Sequence, residues 1–382
     1  MEKQEEHLHL GLVNVLMAES KICFIDGEAG KLVYRGYNIN DLARNSTYEE
    51  VSYLLLFGRL PTGTELKEFN SQLVSLRALP DEFLRTVERF PISAPVMDNL
   101  RSAVSLLGSY HPVFHKGRSD KSIECGISLI AKFSTIVALL HRLRHNLKPV
   151  QPEASLSFAA NFLYMLHGKK PDDVATRAMD MDFVLHAEHG FNASTMAARV
   201  TISTLSDIYS AITSAIGALK GPLHGGAAGE AFQAIKEIGS AANAESYAKK
   251  ALAQDGKISG FGHRVYKITD PRALHLREVS KQLAEKTGNT RFFSIAQRLE
   301  EVVIPLLKEK SVYPNVDFYS GIVYDNLGIP EELFDAIFAV GRSAGWVAHT
   351  LEQVSENKLI RPREKYTGPM DLTYVPIEQR KS

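Results

Sequence analysis

The stretch Lys121-Ser-Ile-Glu-Cys-Gly-Ile-Ser-Leu-Ile130-Ala-Lys-Phe-Ser-Thr-Ile-Val-Ala-Leu-Leu140-His-Arg-Leu-Arg-His145 reads as one long helix. Ile123, Ile127, Ile130, Val137 and Leu140 recur at helical spacing, and Pro149 and Pro152 close the segment. Its centre, Ile136 to Leu140, is apolar on more than one face, as in a helix buried in a core. Outward from it the same period continues. Thr47-Tyr-Glu-Glu50 and Thr62-Gly-Thr-Glu65 fit capping boxes that open helices, Leu156 to Leu166 and Val174 to His189 are periodic, and Ala197 to Leu219 reads as one helix. That last helix is rich in Ala, Ser, Thr and Ile, small enough to pack closely on a neighbour or across a subunit interface. Only Ile22 to Ile25 and Lys31 to Tyr34, joined through Asp26-Gly27, read as strands, in a small N-terminal hairpin. The expected class is all-α. The best internal breaks are Gly225-Gly226 and the region of Gly321.

Composition narrows the function by exclusion. The 382 residues are 45% apolar, and 44 Lys plus Arg balance 44 Asp plus Glu, so no global field favours nucleic acid or a membrane surface. Two distant cysteines, Cys23 and Cys125, read as reduced core thiols. The polar, acidic N-terminus lacks the apolar run of a signal peptide, and no run of consecutive apolar residues approaches the length of a membrane span. The cytoplasm is the expected compartment.

Chemistry concentrates in a few turns. In Lys257-Ile-Ser-Gly-Phe-Gly-His263-Arg-Val-Tyr-Lys267, two glycines let backbone approach a ligand beside an imidazole, among the cations Lys257, Arg264, Lys267 and Arg272. His186 and His189 stand three apart at the end of a helix, where they could ligate a metal, be hydrogen-bonded in the core, or meet a ligand. His224 is displayed in the turn Gly221-Pro-Leu-His224-Gly-Gly. Asp317 sits among apolar neighbours that should raise its proton affinity, as a general base requires and as a buried structural aspartate would also allow. Arg272, Arg342 and Arg361 can each hold a carboxylate bidentately. A dinucleotide-binding oxidoreductase is disfavoured because Gly260-Phe-Gly262 lacks a third glycine and a preceding strand. A non-catalytic helical scaffold would leave these turns unexplained.

In their order and spacing, His186-Ala-Glu-His189 with Asn192-Ala-Ser-Thr195, Gly221 to Ala227, the Lys257 to Arg272 segment, Tyr313 to Gly321 and Gly341 to Trp346 resemble the citrate synthase family, from about Gly11 to the C-terminus. The resemblance implies a large helical domain of residues 1–224 and 324–382, a small one of residues 225–323, and an active site in the cleft between them. It implies condensation of acetyl-CoA with oxaloacetate to citrate and CoA, the runner-up being propionyl-CoA and 2-methylcitrate. His224 would hold the enol, His263 the oxaloacetate carbonyl, and Asp317 would be the base. His186, His189, Arg272, Arg342 and Arg361 would hold carboxylates, Arg361 being supplied by the partner of a homodimer. Lys257, Ile258, Ser259, Gly260, Phe261 and Gly262 would cradle CoA, with Arg264, Lys267 and Lys310 on its phosphates. No metal or cofactor is implied. One departure is Ala227-Ala228-Gly229-Glu230, where many members have Ala-Asn-Glu.

Overall fold

A computed structural model describes residues 8–12, 15–110, 120–254 and 256–380; the polar N-terminal residues 1–7 lie outside it. The expected hairpin forms as β1 (Cys23–Asp26) and β2 (Lys31–Tyr34), paired antiparallel from Cys23 opposite Tyr34 to Asp26 opposite Lys31, and a two-residue β3 (Tyr37–Asn38) adds to it. The rest is helical. Early in the chain come α1 (Ile39–Asn45), α2 (Tyr48–Phe57), α3 (Gly63–Leu76), α4 (Asp81–Val87) and α5 (Val96–Tyr110). Thr62 and Glu65 make the full reciprocal capping box at α3. At α2 only half of it forms: Thr47 accepts from the Glu50 amide, while the Glu50 carboxylate turns to the Ser46 hydroxyl.

The long helix is α6 (Asp120–Arg144), packed against α3, α5, α7 (Phe158–His167) and α16 (Phe334–Ser355). By length and composition Ser122–Arg144 could cross a membrane, but 83% of its most apolar window is buried by the protein. It ends before the prolines. Asn146 takes a left-handed conformation (φ 55°), and the Leu147 and Asn146 amides bond back to the Arg142 and Leu143 carbonyls, a Schellman stop.

Next come α8 (Asp173–His186), α9 (Ala193–Ser203) and α10 (Ile208–Leu219). Two expectations are corrected here. The helix read as running to His189 ends at His186, leaving His189 in the following turn, and the span Ala197 to Leu219 is two helices. Leu205 breaks it with φ 64°, and Asp207 caps α10 by accepting from the Ser210 amide.

The remaining helices, α11 (Ala227–Ile238), α12 (Ala244–Gln254), α13 (Pro271–Thr287), α14 (Arg291–Leu307) and α15 (Asp317–Asn326), pack mainly on one another, with α13 also touching α1 and α8, and α11 also touching α16. The Gly225-Gly226 turn does precede this group. Gly321, read as a break, lies inside α15, where a Cβ would come within 2.7 Å of the Phe232 Cβ, so its glycine serves close helix packing. α16 is the central element, buried along nearly its whole length.

Candidate active site

The His263 turn is built by three segments. Gly260 and Gly262 adopt φ of 83° and 89°, conformations that side chains disfavour. Their backbone is tied to Tyr313–Asn315: the Gly262 amide donates to the Tyr313 carbonyl (2.8 Å), and the Asn315 amide and side chain donate to the carbonyls of Gly260 and Gly262 (both 2.9 Å). This strap also fixes Asp317, whose amide donates to Asn315 Oδ1 (3.0 Å). From the other side the β1–β2 turn presses on the loop so closely that a Cβ on Gly27 would fall 2.1 Å from the Val265 carbonyl oxygen.

Inside the turn, His263 Nδ1 accepts from the amides of Val265 (3.0 Å) and Tyr266 (3.2 Å). Its proton must therefore sit on Nε2. Burial, then the nearby Arg272 charge, lowers its pKa to about 4, so at neutral pH the ring is uncharged with a fixed donor. His189 stacks edge-on against it at 5.2 Å, has Nε2 3.3 Å from the Tyr266 hydroxyl, and is held well below the usual histidine range by burial and by Arg272.

His186 Nδ1 donates to the Asp182 carbonyl (2.9 Å) and lies 3.3 Å from the Asp182 carboxylate, which also receives the Tyr324 hydroxyl at 3.0 Å. With Nδ1 donating, Nε2 becomes a donor only in the imidazolium form, which Asp182 would balance. Arg342 donates from Nε to the His186 carbonyl (2.6 Å) and lies 4.7 Å over the Phe338 ring. Desolvation pulls its pKa below the ordinary guanidinium value, and an incoming carboxylate would reverse that. Arg272, equally buried, already forms a bidentate pair with Asp270 (3.0 and 2.7 Å), so a substrate would meet only its remaining edge.

The His224 ring lies 6.1 Å from that of Phe338, and burial, then the Arg342 charge, lowers its pKa to about 4. Its Nε2 is 2.8 Å from Ser194 Oγ, which accepts from Trp346 Nε1 (3.0 Å) and lies 2.8 Å from Asn192 Oδ1. The single Ser194 proton can go to Asn192 or to His224. In the second case the imidazole proton is on Nδ1, and the neutral ring donates from there.

Asp317, half-buried at the start of α15, has its pKa raised to about 6, burial outweighing the lowering fields of His186, Arg272 and Arg342. The packing of α8 against α13 and α16, and of α13 against α15, brings these groups together. Arg361 does not join them. It is exposed in the segment beyond α16, whose Ile360 amide bonds to Ser203 (3.1 Å), at the end of α9 opposite Ser194. Of the residues read as CoA contacts, Ile258 is only 4% exposed and sits in the core; Lys257, Arg264, Lys267 and Lys310 are exposed, while Ser259 and Phe261 are half-buried.

Several positioning groups escaped the sequence reading. His349 Nδ1 receives an Arg199 N–H (3.1 Å), so its Nε2 donates to Glu188 Oε1 (2.9 Å); the Gly190 amide donates to the same oxygen, which clamps the turn on both sides of His189. Ser194, Trp346 and Asp270 lie inside the quoted motifs without a task read for them, and Asp182 was legible only by its place one turn before His186.

A family model described as citrate synthase, C-terminal domain, matches residues 11–363. The chain belongs to the citrate synthase family. It is 44% identical to a citrate synthase of Synechocystis over 97% of this chain and 93% of the relative, and 45% identical to one of Haloferax volcanii over 98% and 99%. Among solved structures, a Thermoplasma acidophilum citrate synthase in ternary complex with carboxymethyl coenzyme A and oxaloacetate superposes with a TM-score of 0.93 at 36% identity, covering 98% of this chain and all of that one. The family makes this chain an acyltransferase and agrees with the mostly helical fold and its small N-terminal sheet.

Proposed function

We propose that the protein condenses acetyl-CoA with oxaloacetate and water to give citrate and CoA, without metal or cofactor. The observation that carries this is that one residue, Asn315, ties the turn holding a fixed neutral donor, His263 Nε2–H, to a carboxylate whose pKa of about 6 leaves it mostly ionised at neutral pH, Asp317. Asp317 takes a methyl proton from the thioester while His224 donates to the enolate oxygen. The carbon nucleophile then attacks the oxaloacetate carbonyl, whose oxygen gathers charge beside His263. Water hydrolyses the resulting thioester, releasing the thiol. His186, His189, Arg272, Arg342 and Arg361 hold the carboxylates. The exposed Lys257, Arg264, Lys267 and Lys310 serve CoA, together with the Ser259 to Gly262 surface. Oxaloacetate-dependent thiol release from acetyl-CoA tests the reading, and its absence overturns it. Propionyl-CoA is the runner-up acyl donor, supported by a Shewanella oneidensis 2-methylcitrate synthase at 38% identity; parallel turnover of the two thioesters separates them.

The same reading makes the protein a cytoplasmic homodimer whose helices α11–α15 form a small domain that closes on the rest. Residues beyond α16 leave Leu359 63%, Leu372 76% and Tyr374 78% exposed, an apolar strip of the kind a partner subunit covers. Arg361 on this strip then completes the neighbour's site. Inactive Arg361→Ala and Asp317→Asn homodimers should regain activity when mixed, at the one site receiving both intact residues; verified heterodimers without activity would refute the shared site.

A further inference from the structure

At the C-terminal end of α6, His141 and His145 stand one helical turn apart with ring centroids 4.6 Å from each other. Opposite them is Glu332, in the single turn Glu331–Leu333 that leads into α16. His145 Nε2 is 2.8 Å from Glu332 Oε1, and one ligand atom from each of the three residues lies within 4.8 Å of the others. Among the described residues His141 Nδ1 is buried without a hydrogen-bond partner, a condition that native proteins seldom leave unexplained. None of these residues serves the site described above. We propose that His141, His145 and Glu332 bind one divalent transition-metal ion of the zinc class, with water completing the coordination.

The donor set decides the class of ion. Two imidazoles and one carboxylate suit Zn²⁺, Co²⁺ or Ni²⁺ rather than the all-oxygen shells of Mg²⁺ and Ca²⁺. Histidines four apart on a helix present both rings on one face. Ligand bonds of ~2.0–2.2 Å around a tetrahedral ion would open the His145–Glu332 pair from 2.8 Å and close any wider separation in the set, which shifts in the half-exposed His145 and Glu332 side chains can supply. Opposing charge is present but anchored: Arg144 Nε is 3.4 Å from Glu332 Oε1, while its Nη1 is already held by the Ala94 carbonyl at 2.9 Å. His167 of α7 brings a second buried nitrogen, Nε2, that has no partner among the described residues into the field of His141. The ion would tie the end of α6 to the turn before α16, the helix that carries Phe338 and Arg342. Its role is that of a clamp, and turnover proceeds without it.

The test uses the full chain stripped with a chelator and dialysed. Calorimetric titration with Zn²⁺ should give one saturable site per chain and a raised Tm, and Co²⁺ should give the visible bands of a low-coordinate site. His145→Ala and Glu332→Gln should each weaken Zn²⁺ binding at least about 10-fold while leaving oxaloacetate-dependent thiol release unchanged. Absence of saturable binding, or variants that bind as tightly as the wild type, would overturn the proposal, the latter by moving the ion to other histidines.

Discussion

His263 and His224 are both neutral imidazoles, each with burial lowering its pKa to about 4, yet the protein holds them in opposite ways. Two backbone amides occupy His263 Nδ1, so its tautomer is fixed by the fold of the turn. His224 instead leans on the Ser194 hydroxyl, whose proton has two possible acceptors, so its tautomer depends on one rotor. The difference matches the tasks proposed for them. A donor to a ground-state carbonyl gains from being fixed before substrate arrives, whereas a ring that meets an oxygen changing from thioester to enol gains from a proton that can be reassigned.

The largest effect should come from removing the base against which both rings work. Asp317→Asn keeps shape and oxaloacetate binding but should lower kcat by about 10²–10⁴, measured as thiol release; near-normal turnover would end the assignment. His263→Ala should cost about 10²–10³ and abolish any shift in the carbonyl stretch of bound oxaloacetate, and a wild-type spectrum without such a shift would remove the fixed-donor half of the comparison. Ser194→Ala should cost about 10-fold or more in kcat with that carbonyl stretch unchanged. If it perturbs the stretch, the two imidazoles are not independent.

What was legible in the sequence follows the same division. The His263 turn could be read because its glycines, imidazole and cations are contiguous, and local backbone demands leave local signatures. The all-α class was legible from periodicity, with α6 the clearest case. Helix ends were not: Leu205 stops a helix at a positive φ that its own side chain disfavours and only packing imposes, while Asn146, which tolerates that region, has no glycine beside it to announce the stop. The tautomer of His224 and the clamp on His189 were also hidden, because Ser194 meets His224 across 30 residues and Glu188 meets His349 across 161. Arg361 marks the limit of one chain, since the task proposed for it needs a second copy.

The smallest effect concerns stability and isolates the environment of the base. The Asp317 carboxyl titrates near 3.8 unperturbed and near 6 in the folded protein, mainly through desolvation. Below about pH 4 it is protonated in both states and costs nothing. As pH rises through 6 the folded state must release a proton that it holds more tightly than the unfolded state does, so stability falls across that window. Asp335, also raised to about 6 by burial and by the Asp317 charge, adds to the fall. Asparagine stays neutral throughout and relieves Asp335 as well. In the absence of substrate, Asp317→Asn should therefore stabilise the protein at pH 8 by on the order of 1–2 kcal/mol and be nearly neutral at pH 4. Thermal unfolding of both proteins at the two pH values measures this. An equal shift at both would mean that the aspartate acts on stability through its shape, and that its charge is not held in a desolvated setting.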